Sequence, residues 1–207
     1  MQYFCVIADL VDSRLLSDRR EFQQLLKEKL KDVSAESSGL VSPYTITLGD
    51  EFQAVYRTTE NIFSDLFRII WEIWPQKIRI SIGCGRIDTD INTKAALGMD
   101  GPAFHIARST MMLLKKNTYT TLAVSGMHPS DNKLAEKILA VFSKDFKTWK
   151  RTSVGVFCRL MNKGTIPIIS DELGVSDRMV YKVIASNKMR EYLEIFHLVA
   201  ARMAVRF

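Results

Sequence analysis

Cysteine is scarce in this chain. Cys5, Cys84 and Cys158 are the only three in 207 residues, and they stand far apart. An odd, scattered set supports neither a disulfide framework nor a zinc cluster. Histidine is equally sparse: His105, His128 and His197 show no i, i+4 pairing and no cysteine nearby, which argues against a transition-metal site. No window approaches the roughly 18–20 uninterrupted apolar residues that a membrane helix needs. The opening MQYFCVIADLVDSR runs apolar too briefly and turns acidic too soon for a signal peptide. No internal repeat or low-complexity tract is present. These absences leave a reduced, soluble, cytoplasmic protein with no membrane partner as the expectation.

What is present is ordinary in bulk. Apolar residues make up 47% and charged ones 25%, which excludes disordered, collagenous and coiled-coil classes. Lys and Arg total 29 against 23 Asp and Glu, a net charge of +6 that suits a nucleic-acid partner without requiring one. The length allows one ordinary domain, or a medium domain carrying a small second one.

Periodicity divides the chain. Tyr3 to Ala8 is a continuous apolar run, the pattern of a central strand buried on both faces. Ser17 reads as the N-cap of an amphipathic helix carrying Phe22, Leu25, Leu26, Leu30 and Val33. Strands at Tyr44–Leu48 and Phe52–Arg57, joined by Gly49-Asp50, form a hairpin signal. A second helix runs from Thr59 to Trp74 and stops at Pro75. KIRISIGCG alternates as a strand, a third helix opens at Pro102, and Thr121–Ser125 makes a last strand. The order β-α-β-β-α-β-α-β predicts an α+β fold, a ferredoxin-like α/β sandwich with a mainly antiparallel sheet over residues 1–145. Residues 146–207 then read as helices alone. Within 151–207, nine basic residues face five acidic ones, a surplus of four.

Two acidic motifs stand out in the first domain. Asp9 ends the first strand in ADLVDS, and Asp50 and Glu51 occupy the hairpin turn in LGDEF. Strand end and turn meet in such a sheet, and converging carboxylates repel unless a cation neutralises them. Hard oxygen ligands of this kind select Mg²⁺ or Mn²⁺ shared with phosphates. The plain alternative is that Gly-Asp is good turn chemistry and Asp9 merely ends a strand.

ADLVDS, LGDEFQAV and RISIGCGRI together resemble the catalytic core shared by class III nucleotide cyclases and GGDEF diguanylate cyclases, a palm-like fold. That resemblance implies Asp9 and Asp50 as ligands of divalent ions holding a nucleoside triphosphate, with Glu51 as a third. GMDGPAFHIAR resembles the cyclase segment G-x-x-V-N-x-A-x-R, whose asparagine and arginine act on ribose and transition state. His105 falls at the asparagine when Gly101 is aligned, and Arg108 is then one residue early; the shifted register puts Phe104 there instead. Arg108 and His105 are thus the catalytic candidates by position. Over nearly all 207 residues the chain is similar to the SatD family, through D-[IL]-V-x-S-R, TLGDEFQ, the G-x-G strand ending, DGPAFHIAR and the terminal helices.

The tail has the spacing of a helix-turn-helix in TIPIISDELGVSDRMVYKVIAS. Ile166, Ile169, small Ser170, Leu173, Val175, Val180 and Val183 fill its buried slots around turn Gly174. Ser176 caps the second helix, whose outward row is Asp177, Arg178, Met179, Tyr181 and Lys182. Ser176, Arg178, Tyr181 and Lys182 are the predicted contacts to double-stranded DNA. A helical dimerisation module would show the same pattern. Lys115-Lys116 reads as a solvated helix end suited to the macrodipole. Taken together, the sequence predicts a DNA-binding regulatory homodimer with a Mg²⁺- or Mn²⁺-dependent nucleotide site. A nucleotidyl cyclase or transferase, and a degenerate cyclase-fold scaffold, stand as alternatives.

Overall fold

A computed structural model describes residues 1–16, 18–117 and 120–205. The first strand, β1 (Tyr3–Leu10), is the middle of a five-stranded sheet. β2 (Leu40–Leu48), β3 (Glu51–Tyr56), β4 (Ile78–Gly85) and β5 (Leu122–Ser125) complete it in the order β2-β3-β1-β4-β5. All neighbours are antiparallel except β4 and β5, so the expected mainly antiparallel α/β sandwich is present. β2 starts at Leu40, ahead of its expected Tyr44, because Ser42-Pro43 interrupts the pattern. An edge strand tolerates proline, and the register shifts there.

α1 (Arg19–Glu36) and α2 (Ile62–Glu72) cover one face of the sheet, and α3 (Pro102–Lys116) covers the other. Ser17, expected to cap α1, lies outside the described residues; the Asp18 carboxylate accepts the Glu21 N–H at 2.9 Å. α2 begins later than the expected Thr59, whose carbonyl accepts the Ile62 N–H. The third helix lies unusually close to β4. A Cβ added at Gly83 would sit 2.2 Å from the Ala103 carbonyl oxygen and 2.5 Å from the Ala107 nitrogen. Only glycine leaves room for that approach.

The C-terminal helices are α4 (Pro129–Phe146), α5 (Arg151–Met161), α6 (Ile166–Leu173), α7 (Asp177–Ser186) and α8 (Met189–Ala204). The division expected after residue 145 falls at the end of α4, and the apolar core crosses it without a break. Phe67 of α2 meets the rings of Phe142, Phe157 and Phe196 at 5.8, 4.8 and 5.2 Å. Arg151 and Arg159 of α5 also flank the Trp71 ring, at 4.7 and 4.9 Å from its centroid. Among the described residues, no helix is long and apolar enough to cross a membrane.

Candidate functional site

Strand alternation decides which side chains meet. Phe4, Val6, Ala8 and Leu10 enter the core beneath α1 and α2, whereas Cys5 and Ile7 pack under α3. Asp9 therefore lies on the α3 face. Its Cα partners are Glu51 on β3 and Arg79 on β4. The three form a row across the sheet.

Both carboxylates are nearly buried, at 6% exposure each, and each is neutralised. Lys115 lies 2.7 Å from Asp9 Oδ1 and Arg79 lies 3.4 Å from Oδ2. Arg108 lies 3.0 Å from Glu51 Oε1. Arg108 and Lys115 are seven residues apart, two turns of α3, and so share one flank of the helix, beside its sheet-facing Ala107, Met111 and Leu114. The glycine contact with β4 holds that side down onto the carboxylates.

Asp50 takes a different position. It sits at the hairpin turn, where its Oδ2 accepts the Ser13 hydroxyl at 2.5 Å. His105 pairs with Asp100 at 3.0 Å, and both are largely exposed at the start of α3. Of the five sequence candidates on this domain, the structure brings together Asp9, Glu51 and Arg108. It leaves Asp50 and His105 with other partners.

Arg79 and Lys115 are not among the sequence candidates. Lys115 reads from sequence as a solvated helix end; it stands exposed in the last turn of α3 and is also the closest basic partner of Asp9. Its signal is the seven-residue spacing from Arg108; that of Arg79 is the strand parity it shares with Gly83 and Gly85. Gln53 is also outside the sequence expectation. It is 6% exposed on β3, its amide nitrogen donates to the Ala96 carbonyl, and its Oε1 has no hydrogen-bond partner.

The candidate nucleic-acid elements lie in the C-terminal helices. α6 and α7 are joined by Gly174, Val175 and Ser176. Gly174 adopts the left-handed φ of +62°, and open space surrounds the position a Cβ would take, so conformation alone favours glycine there. The Ser176 hydroxyl accepts the Met179 N–H at 3.3 Å, and the Ser170 hydroxyl donates to Asp177 across the turn. Val180, Val183 and Ile184 face the core, while Arg178, Met179, Tyr181 and Lys182 are exposed together.

Residues 3–191 match the SatD family. The chain belongs to that family. Among solved structures, this SatD-family protein is similar to a bacterial light-regulated adenylyl cyclase at 15% identity and a TM-score of 0.38, over 61% of this chain and 43% of the cyclase chain. A second structure of such a cyclase matches at 16% identity and TM-score 0.36, over 60% and 43%. The SatD-family chain thus spans less than half the length of those cyclase chains. A regulator of polyketide synthase expression from Bifidobacterium adolescentis matches at 13% identity and TM-score 0.29, over 100% of this chain and 83% of the other. No curated protein matches it.

The donor set bears on the divalent ion that the cyclase resemblance implies. Among the described residues, no three His, Cys, Asp or Glu side chains cluster closely enough to hold a metal. Mg²⁺ seldom asks for such a cage, since one or two carboxylates plus substrate phosphates complete its shell. Asp9 and Glu51 fit that role, and Gln53 Oε1 adds a buried acceptor on the same strand. A metal bound to a triphosphate brings both signs of charge. The two carboxylates suit its cation, and Arg79, Arg108 and Lys115 suit its phosphates.

Proposed function

We propose that this SatD-family protein is a DNA-binding regulatory protein. Its α6–α7 pair would act as a helix-turn-helix, carried on a cyclase-like α/β sandwich and paired as a homodimer on two half-sites. The observation that carries the reading is the face of α7. Arg178, Tyr181 and Lys182 stand exposed in one row, while the opposite side of the helix is locked by Val180, Val183 and Ile184. A rigid helix with cations and an aromatic outward can reach base edges and phosphates.

Fluorescence anisotropy of the full chain with genomic and random duplexes at two salt concentrations tests it. Where Arg178 or Lys182 reads a base edge, its replacement by alanine costs roughly 1–3 kcal/mol and relaxes sequence preference. Where it grips a phosphate, the same replacement weakens all duplexes and lowers the salt slope by about one. Binding that is absent, or indifferent to both substitutions, overturns the reading.

A second reading is favoured by the paired Asp9 and Glu51: the sandwich binds a nucleoside triphosphate with Mg²⁺ or Mn²⁺. Asp9 and Glu51 would hold the cation, which when bound polarises phosphoryl oxygens. Arg108 and Lys115, each about half exposed, would contact the phosphates. This site would serve as the regulator's sensor, or as the centre of a nucleotidyl-transfer enzyme with Arg108 as its catalytic cation.

A further inference from the structure

α4 and α8 lie side by side and antiparallel. Phe142 meets the rings of Tyr192 and Phe196 at 5.0 and 4.9 Å. Three residues on, Asp145 accepts the Tyr192 hydroxyl at 2.7 Å and pairs with Lys188 at 3.3 Å. Their inner sides join the core through Ala135, Leu139 and Phe142 on α4 and Tyr192, Phe196 and Val199 on α8. Their outward sides are apolar as well. Leu134, Ile138 and Val141 recur at i, i+4 and i+7 along α4, and Ile195 and Leu198 line the same groove from α8. Leu134, Val141 and Leu198 are 56, 61 and 65% exposed. A single exposed leucine needs no explanation, but a row spread over two helices and rimmed by charge is the mark of a protein contact. The groove holds about 140 Å³, well short of the roughly 300 Å³ at which small-molecule sites begin. It has room for side chains and none for a ligand body.

The two rims carry opposite signs. Lys133, Lys137 and Lys144 are exposed along α4, and Glu191 and Glu194 are exposed along α8. Lys137 touches Glu136, its exposed sequence neighbour, a surface pair worth little. Asp131 and Arg202 line one end of the groove together, and the Asp145–Lys188 pair lies at the other. Helical periodicity turns Arg190 and His197 to the side of α8 away from α4. A face that is basic along one edge and acidic along the other complements itself under one two-fold rotation. With the axis parallel to the helices, α4 of one copy covers α8 of the other. Leu134 then meets Leu198, and Glu191 and Glu194 lie over Lys137 and Lys144. An axis across the helices would instead stack α4 on α4 and set lysine against lysine.

We propose that the α4–α8 face binds a second copy of this chain, closing a four-helix interface about a two-fold axis parallel to the helices. The inference rests on the homodimer in the reading above and assigns that homodimer its surface, separate from the acidic pair and from the exposed row of α7. α4 and α8 span 18 and 16 residues. At about 1.5 Å per residue and about 10 Å per helix, the face measures roughly 25 by 20 Å. That footprint is on the scale of the roughly 800 Å² of accessible surface that each partner of a stable interface contributes. An apolar centre with charged edges is also the usual composition of such an interface.

Light scattering of the full chain at micromolar concentration tests the proposal, with melting by circular dichroism to show that each variant is folded. Wild type is expected at twice 23.6 kDa. Leu134→Glu and Leu198→Glu, both at exposed positions, should each give the monomer mass. The double substitution Glu191→Lys with Glu194→Lys should also be monomeric, as should Lys137→Glu with Lys144→Glu. Mixed in equal amounts, these two charge variants should recover the dimer, because each supplies the sign that the other has lost. Should a leucine variant fail to fold, the surface charge variants still decide. A wild-type dimer that survives all four variants overturns this interface and leaves the homodimer reading standing. A wild-type monomer overturns both and gives the groove to a different protein. Charge variants that dissociate but do not recover on mixing overturn the two-fold pairing of α4 with α8.

Discussion

Replacing Gly83 by alanine puts the seating of α3 to the test. The backbone at Gly83 is an ordinary strand, so the substitution adds no conformational strain, only a methyl group. That methyl would lie 2.2 Å from the Ala103 carbonyl oxygen and 2.5 Å from the Ala107 nitrogen, both backbone atoms of α3. Carbon contacts settle near 3.5 Å, so the helix must lift by about 1 Å along its whole length. Overpacking of a tight core costs about 1–3 kcal/mol. The lift also draws Arg108 and Lys115 from Glu51 and Asp9, now 3.0 and 2.7 Å away, leaving two nearly buried carboxylates less well paired. A total of about 3 kcal/mol would lower the melting temperature by about 6–12 °C for a chain of this size. Circular dichroism of wild type, Gly83→Ala and Gly98→Ala measures it. Gly98 has a left-handed φ of +73° but open space around it, so alanine there costs only conformational strain, about 1–2 kcal/mol. If Gly83→Ala melts within about 2 °C of wild type, or no lower than Gly98→Ala, close helix–sheet contact does not hold the site together.

Two further outcomes follow from named groups. A Mg²⁺-triphosphate at a hundredfold excess over its Kd should stabilise wild type by about 2.7 kcal/mol, and Asp9→Asn should remove that shift; no shift with any triphosphate in wild type would make the acidic row structural only. Burial raises the pKa of the Asp65 carboxyl, against the pull of its hydrogen bonds from Ser37 and Tyr56. Its contribution is complete below the unfolded pKa of about 3.9 and is lost as pH climbs through the folded value. Urea unfolding should therefore show Asp65→Asn gaining on wild type from pH 4 to pH 7, and a variant that loses ground over that range would refute the assignment.

How much is legible follows from the range of each signal. The apolar run at Tyr3–Ala8 marks the central strand, and Pro75, Pro102 and Gly174 mark helix ends or beginnings, because each acts through its own backbone. The α6–α7 spacing is equally readable, since its buried slots sit at fixed offsets around one turn. Asp50 illustrates the limit. Its turn is evident, but whether Asp50 or Glu51 faces Asp9 depends on the cross-strand register and on the side each residue takes. Lys115 shows the same limit from the other direction, for a helix-end lysine is solvated unless the helix lies against a carboxylate.

The sequence by itself determined the elements, their order and the chemistry available on each, because propensity, capping and periodicity are local. Only the tertiary structure decided which charges meet. The row Glu51, Asp9 and Arg79 depends on the pairing of three strands, and its closure by Arg108 and Lys115 depends on how near α3 approaches β4. The continuity of the core from the sheet to α8 was likewise decided there, since apolar stripes on separate helices do not declare their partners until the chain packs them together.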